Sequence, residues 1–213
     1  MSYTVKEIFL TLQGEGIQVG RRAVFIRFSG CNLWSGREED RASADCRFCD
    51  TDFVGVNADG GRFADAESLA AAALAAWEDG LERGDRDRFV VITGGEPLLQ
   101  LDAALIDALH AAGFFIAVET NGTIAAPEGI DWLCVSPKAG TDVVQRKGNE
   151  LKLVWPQPGL DPRLLEDWDF DHFLVQPMDG PSLNDSRIAA IEFVLGHPGW
   201  RLSLQTHKLS GLR

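Results

Sequence analysis

Four cysteines are all that these 213 residues contain, too few for a disulfide scaffold in a chain of this length. Cations are also scarce: 20 Lys and Arg face 32 Asp and Glu, a formal net charge of −12. So acidic a chain has no electrostatic reason to seek a nucleic-acid backbone or an anionic membrane. No apolar run is long enough to span a bilayer, and the longest, Leu69 to Trp77, is mostly alanine. Residues 1–20 carry Lys6, Glu7, Gln13 and Glu15 and lack a signal peptide's apolar centre and small-residue cleavage site. No Pro/Gly/Ser-rich linker, internal repeat or low-complexity segment divides the chain. These absences predict a soluble cytoplasmic protein built as one domain over residues 1–213. What remains, 45% hydrophobic and 24% charged, is ordinary globular composition.

Short apolar strands are expected at 24–28, 89–93, 114–118, 132–135, 150–154, 173–175 and 201–204, with helices at 66–77, 101–112 and 186–195. Gly113 is the expected stop of the second helix. Strands alternating with helices or long connections imply βα units around a parallel sheet. Polar or Gly-rich turns follow the strands: Ser29-Gly30-Cys31, Thr93-Gly94-Gly95, Glu119-Thr120-Asn121, Ser136-Pro137-Lys138 and Gln176-Pro177-Met178-Asp179. Ligands of parallel α/β folds bind at the carboxyl ends of strands, so these turns should converge on one face. The chain is short for an eight-unit barrel of roughly 250 residues. An α/β fold is therefore expected, a partial, open TIM-like barrel of about six units with truncated helical content.

Three of the cysteines, Cys31, Cys46 and Cys49, crowd together, the last two as C-x-x-C, while Cys134 stands apart in an apolar strand as a buried small hydrophobe. Residues 32–45, NLWSGREEDRASAD, lack either periodicity and read as an insertion within the ligand loop. Soft thiolates suit zinc or an iron–sulfur cluster. A closed zinc site needs four ligands, and only three stand nearby. Three thiolates on a cubane would leave one iron open. Spacing alone also admits a zinc site completed by a distant His or Asp, or a redox dithiol.

Gly94-Gly95-Glu96-Pro97 directly follows a strand; the glycines let backbone approach a ligand, and Glu96 can accept charge-assisted bonds from an ammonium. With the three-cysteine loop, this motif resembles the radical S-adenosylmethionine (SAM) superfamily. Further motifs resemble one family within it, the 7-carboxy-7-deazaguanine synthases. They are Ile8 to Gly16, Phe25 to Trp34, Cys49-Asp50-Thr51, Glu119 to Gly122, Ser136 to Lys138, Gln176 to Asp179 and Gln205 to Lys208.

The resemblance implies ring contraction of 6-carboxy-5,6,7,8-tetrahydropterin to 7-carboxy-7-deazaguanine with loss of ammonia. It implies a four-iron, four-sulfur cluster on Cys31, Cys46 and Cys49, SAM as cofactor, and magnesium at Thr51, whose alternative role is a helix cap. SAM is expected against Phe48, Cys49, Asp50, Gly95 and Glu96, with Ser136, Pro137, Lys138, Gln176, Pro177, Met178 and Asp179 around it. The pterin is expected against Leu12, Gln13, Gly14, Arg27, Thr93 and Arg213, with Arg27 on its carboxylate. Glu119, Gln205 and His207 are weaker candidates, and Leu33 and Trp34 are expected to pack over the site. The family further implies a homodimer and an external electron donor such as flavodoxin or ferredoxin. A glycyl-radical activase and a nonenzymatic metal or electron-transfer module are the competing readings.

Overall fold

The computed structural model describes residues 2–79 and 87–212. Its chain order is β1 (Tyr3–Leu12), β2 (Arg22–Phe28), β3 (Gly61–Phe63), α1 (Ala66–Glu78), β4 (Phe89–Gly94), α2 (Ala103–Ala111), β5 (Phe115–Thr120) and β6 (Trp132–Val135). Then come β7 (Lys147–Trp155), β8 (Asp169–Pro177), α3 (Leu183–Gly196), β9 (Trp200–Leu202) and α4 (Thr206–Ser210). All nine strands form one sheet in the order β3-β1-β2-β4-β5-β6-β7-β8-β9. From β2 onward each strand runs parallel to the next in this order, whereas β1 is antiparallel to both β2 and β3. The sheet does not close, and helices α1, α2 and α3 occupy only some of its crossovers. The connections β5–β6 and β6–β7 contain no helix, and β7–β8 contains only the 3₁₀ turn Pro162–Leu165. The fold is thus a partial, open TIM-like barrel with truncated helical content.

Local chemistry explains most boundaries. Phe89, Val90, Val91 and Ile92 of β4 are fully buried, as a strand covered on both faces requires. Asp65 caps α1 by accepting the Ser68 N–H at 2.8 Å, and Asp102 caps α2 by accepting that of Leu105 at 3.0 Å. Gly113 turns left-handed (φ +82) behind α2 and donates its N–H to the His110 carbonyl. The inner faces of these helices bury Leu69, Ala73 and Trp77 from α1 and Leu105, Ile106 and Leu109 from α2. Each large side chain so buried contributes about 1.5–3 kcal/mol.

Strands β1 and β3 and helix α4 are additions to the expected elements. β1 carries a register shift between Val5 and Glu7 and buries two charged side chains, Lys6 and Glu7, so its alternation is broken. The insertion 32–45 contains a 3₁₀ helix, Glu38–Ser43.

Candidate active site

Parallel register brings the strand ends level: Arg27 lies opposite Thr93, Phe28 opposite Gly94, and Glu119 opposite Cys134. At that end of the sheet lies a cavity of about 400 Å³. Leu12, Gln13, Gly14, Arg27 and Thr93 line it, as do Cys46, Phe48, Cys49, Asp50 and Thr51. The turns after β4 and β6 contribute Gly95, Ser136 and Lys138, and the end of β8 with its following turn contributes Gln176, Pro177 and Asp179. Cys31, Glu96, Pro137 and Met178 stand behind this wall, and Arg213 lies outside the described residues.

The thiol end is held by backbone. The Glu96 N–H donates to the Gly30 carbonyl at 3.0 Å, tying the loop before Cys31 to the glycine turn. Asn121 Nδ2 donates to Asn32 Oδ1 at 3.0 Å, tying the residue after Cys31 to the end of β5. All three cysteines are free thiols. The Leu33 N–H points at Cys31 Sγ from 3.4 Å, while burial pushes the Cys31 thiol up. A hydrogen bond between Cys46 and Cys49 raises the former and brings the latter down to about 6. Among the described residues no three His, Cys, Asp or Glu side chains converge on a single metal centre. A cubane offers a separate iron corner to each thiolate, so its ligands stand around it rather than meeting at one point. The donor set, three unbridged thiols with a backbone N–H directed at sulfur, fits such a cluster.

Glu96 is fully buried, and burial raises its carboxyl. It accepts the Leu98 N–H, the Thr120 hydroxyl and the Asn121 N–H at 3.0, 2.7 and 2.8 Å. The carboxylate thus orders two turns. Cys134 is buried in β6, and Thr51 lies in irregular chain where it caps no helix. Leu33 and Trp34 are buried, yet they do not line the cavity: Trp34 packs edge-on against Phe53 at 5.7 Å, beneath the Arg41 guanidinium at 4.0 Å. Arg41 Nη1 in turn donates to the carbonyls of Arg47 and Cys49 at 2.9 and 3.1 Å, so the insertion folds back onto the C-x-x-C turn.

The cavity wall also carries several paired charges. Arg27 Nε donates to Glu7 Oε1 at 2.8 Å, with side-chain exposures of 19% and 11%. Lys152, 4% exposed, donates to Glu15 Oε2 at 2.6 Å and Glu119 Oε2 at 2.7 Å. Burial opposes ionisation of Lys152 and Glu15, but the neighbouring charges win. Lys152 is held above its ordinary value and Glu15 is held down at about 2. Gln13 Nε2 donates to Glu119 Oε1, and Gln205 Nε2 to Glu15 Oε1. Burial pulls His207 down, and its ring lies against Gly14. Lys208, on α4, bridges Asp50 and Asp179 at 2.5 and 2.7 Å across the mouth. Glu7, Lys152 and Lys208 were not among the expected site residues. A cation inside the apolar run Leu151 to Val154 is the signal that could have found Lys152.

The Radical SAM superfamily model matches residues 41–152, a span that starts beyond Cys31 and beyond most of the insertion. The chain is 62% identical to the 7-carboxy-7-deazaguanine synthase of Caulobacter vibrioides over 213 residues, 100% of both chains. It is 60% identical to that of Bradyrhizobium diazoefficiens over 214 residues, again 100% of both. The crystal structure of QueE from Escherichia coli superposes with a TM-score of 0.73 at 30% identity, covering 97% of this chain and 95% of that one. A radical SAM match over half the chain, full-length relatives of one name and a shared open barrel agree. This chain belongs to the 7-carboxy-7-deazaguanine synthase family of the radical SAM superfamily.

Proposed function

We propose that this chain is a radical SAM lyase that converts 6-carboxy-5,6,7,8-tetrahydropterin into 7-carboxy-7-deazaguanine with release of ammonia. The observation that carries this reading is one cavity lined by Cys46 and Cys49 of the three-cysteine loop together with Gln13, Arg27 and Thr93. Full-length identity to synthases of that name supports it. When bound, the iron–sulfur cluster and SAM supply the hydrogen-abstracting radical chemistry.

The chain's own work is ligation, orientation and exclusion of water. Cys31, Cys46 and Cys49 hold the cluster. Phe48, Cys49, Asp50 and the backbone at Gly95 meet SAM, together with Ser136, Lys138, Gln176, Pro177 and Asp179. Pro137 and Met178 shape the two turns from behind: the Met178 N–H donates to the Trp155 carbonyl, and the Pro137 carbonyl accepts Gln157 Nε2. Glu96 orders the glycine turn and keeps one acceptor position for the ammonium of SAM. Thr51 offers a hydroxyl to magnesium at the cavity wall. Leu12, Gln13, Gly14 and Thr93 border the pterin. Arg27 spends Nε on Glu7, so its two Nη groups remain for an end-on, bidentate grip on the pterin carboxylate. Carried over from the family, the reading includes one domain, a homodimer, a donor such as flavodoxin or ferredoxin, a cytoplasmic location and a pterin contact from Arg213, which lies outside the described residues.

The test is anaerobic reconstitution followed by product analysis. About four irons and four sulfides per chain are expected, with ammonia and 7-carboxy-7-deazaguanine formed only when pterin, SAM and reductant are all present. A colourless protein that takes up stoichiometric zinc, or SAM cleavage that the pterin does not stimulate, would overturn it.

A further inference from the structure

We infer that Lys152 is a positioning residue that holds Glu15 and Glu119 as a paired acceptor surface for the 2-amino-4-oxo edge of the pterin, making this trio a determinant of substrate choice. The inference rests on the pterin reading above and adds to it how the ring end is recognised.

Lys152 sits in β7 between Leu151 and Leu153, both fully buried, and reaches the cavity wall with its ammonium. Its two carboxylate partners come from different parts of the chain, Glu15 from the β1–β2 connection and Glu119 from the end of β5. Both also line the cavity. Two carboxylates on one ammonium leave a formal surplus of one negative charge. Of the other ionisable groups around this ammonium, Lys138 gives its donors to the Ser136 carbonyl and hydroxyl. Glu150 is occupied by the Trp132 indole and the Ile17 N–H, while His207 and Cys134 are further neighbours.

An ionised carboxylate has roughly four acceptor positions. Glu119 uses two of them, on Lys152 and Gln13. Glu15 also uses two, on Lys152 and Gln205. Each therefore keeps acceptor capacity in the cavity wall, where the two side chains are only 18% and 21% exposed and an unpaired acceptor is costly. A carboxylate-bearing group is repelled from this surface and belongs at Arg27. The surface instead suits adjacent N–H donors, which the pterin supplies from N3 and the 2-amino group. Lys152 fixes where these acceptors stand, because its short contacts tie two separate segments to one point.

The test uses the anaerobic, cluster- and SAM-loaded protein and two unreactive ligands, 6-carboxypterin and 6-carboxylumazine, in which oxygen replaces the 2-amino group. Equilibrium dialysis should show the wild type favouring the pterin by about 10- to 100-fold, the discrimination expected from one hydrogen bond to a charged acceptor. Lys152→Met should reduce that ratio to within about threefold, and Lys152→Arg should restore part of it. Glu119→Gln, which keeps the Lys152–Glu15 pair and the side-chain shape, should also collapse the ratio and covers the case in which Lys152→Met fails to fold. Wild-type protein that binds both ligands alike, or variants that keep the wild-type ratio while affinity falls, would overturn the inference and leave the reaction assignment standing. Wild type that binds neither ligand would remove the pterin reading, and this inference with it.

Discussion

Gly95 is packed directly on Cys31: a methyl group at Gly95 would meet the Cys31 Cβ at 2.6 Å and the Gly30 carbonyl oxygen at 2.3 Å. The second contact is with backbone, which cannot rotate away. The glycine turn and the first thiol therefore share one rigid seam.

Gly95→Ala should displace the Cys31 loop. We expect a stability loss of about 1–3 kcal/mol, the usual cost of overpacking, and an iron content of less than half the wild-type value after identical reconstitution. Denaturant unfolding and iron analysis on the same preparation check this; an alanine variant with full iron content would show that the seam can yield.

The four cysteines should divide cleanly. Replacing Cys31, Cys46 or Cys49 with alanine should abolish the visible absorption of the reconstituted protein. Cys134→Ala should keep that absorption, because Cys134 is buried in β6 away from the cavity. Loss of absorption in Cys134→Ala alone would reverse the assignment.

Substrate and cofactor chemistry should separate at Arg27. Removing a bidentate, charge-assisted grip from a dry pocket costs roughly 2–4 kcal/mol, or about 30- to 1000-fold in kcat/KM. Arg27→Lys should recover part of this, because an ammonium lacks the planar fork. Cluster assembly and slow substrate-independent SAM cleavage should persist. Unchanged pterin turnover in Arg27→Ala would take this side chain out of the site.

Acid should weaken the trio at the ring end. The Glu15 carboxyl is held at about 2, below its ordinary 4.5, by Lys152 against the opposing effect of burial. A carboxyl whose folded value is depressed stabilises the fold above its unfolded value, so the contribution is complete above about pH 4.5 and disappears as pH falls toward 2. Its size is on the order of 3 kcal/mol. Lys152→Met should be less stable at pH 7 and should lose less between pH 5 and 3. Parallel stability curves for the two proteins would contradict this.

Arg41 should govern how long the cluster survives. Its guanidinium joins Trp34, Glu38 and the Arg47 and Cys49 carbonyls. Arg41→Met should release iron to a chelator about 3- to 10-fold faster than wild type, in line with the loss of one or two charge-assisted bonds, with SAM-free protein giving the same ranking. Equal release rates would make the insertion dispensable for the cluster.

Much of this architecture was legible in the sequence because its strands are apolar runs that end in polar turns. β4 and β6 fall almost where expected, since Phe89 to Ile92 and Leu133 to Val135 are continuously buried. β1 was not legible as a strand, because Lys6 and Glu7 are buried in ion pairs with Asp52 and Arg27 and a bulge breaks the period. Five-residue α4 is too short to show a helical period. The thiol loop and glycine turn declared themselves by residue type. Lys152 did not, because its meaning depends on Glu15 and Glu119, 137 and 33 positions away. Trp34 was misjudged for the same reason: sequence reveals that an indole will be buried, but not that Phe53 and Arg41 bury it.

The sheet that fails to close has a mechanical consequence. Between the β1 side and the β9 side no continuous ladder runs. At the rim the mouth is latched by the Thr206 N–H and hydroxyl on the Gly14 carbonyl and by the Gly16 N–H on the Ser203 hydroxyl, beside the Lys152 and Gln205 contacts to Glu15. A handful of hydrogen bonds can break while every strand pairing stays intact, so the mouth can gape at far lower free energy than global unfolding. Amide hydrogens at Gly16 and Thr206 should accordingly exchange with solvent orders of magnitude sooner than those of β4 and β5, and a ligand spanning both rims should slow them first.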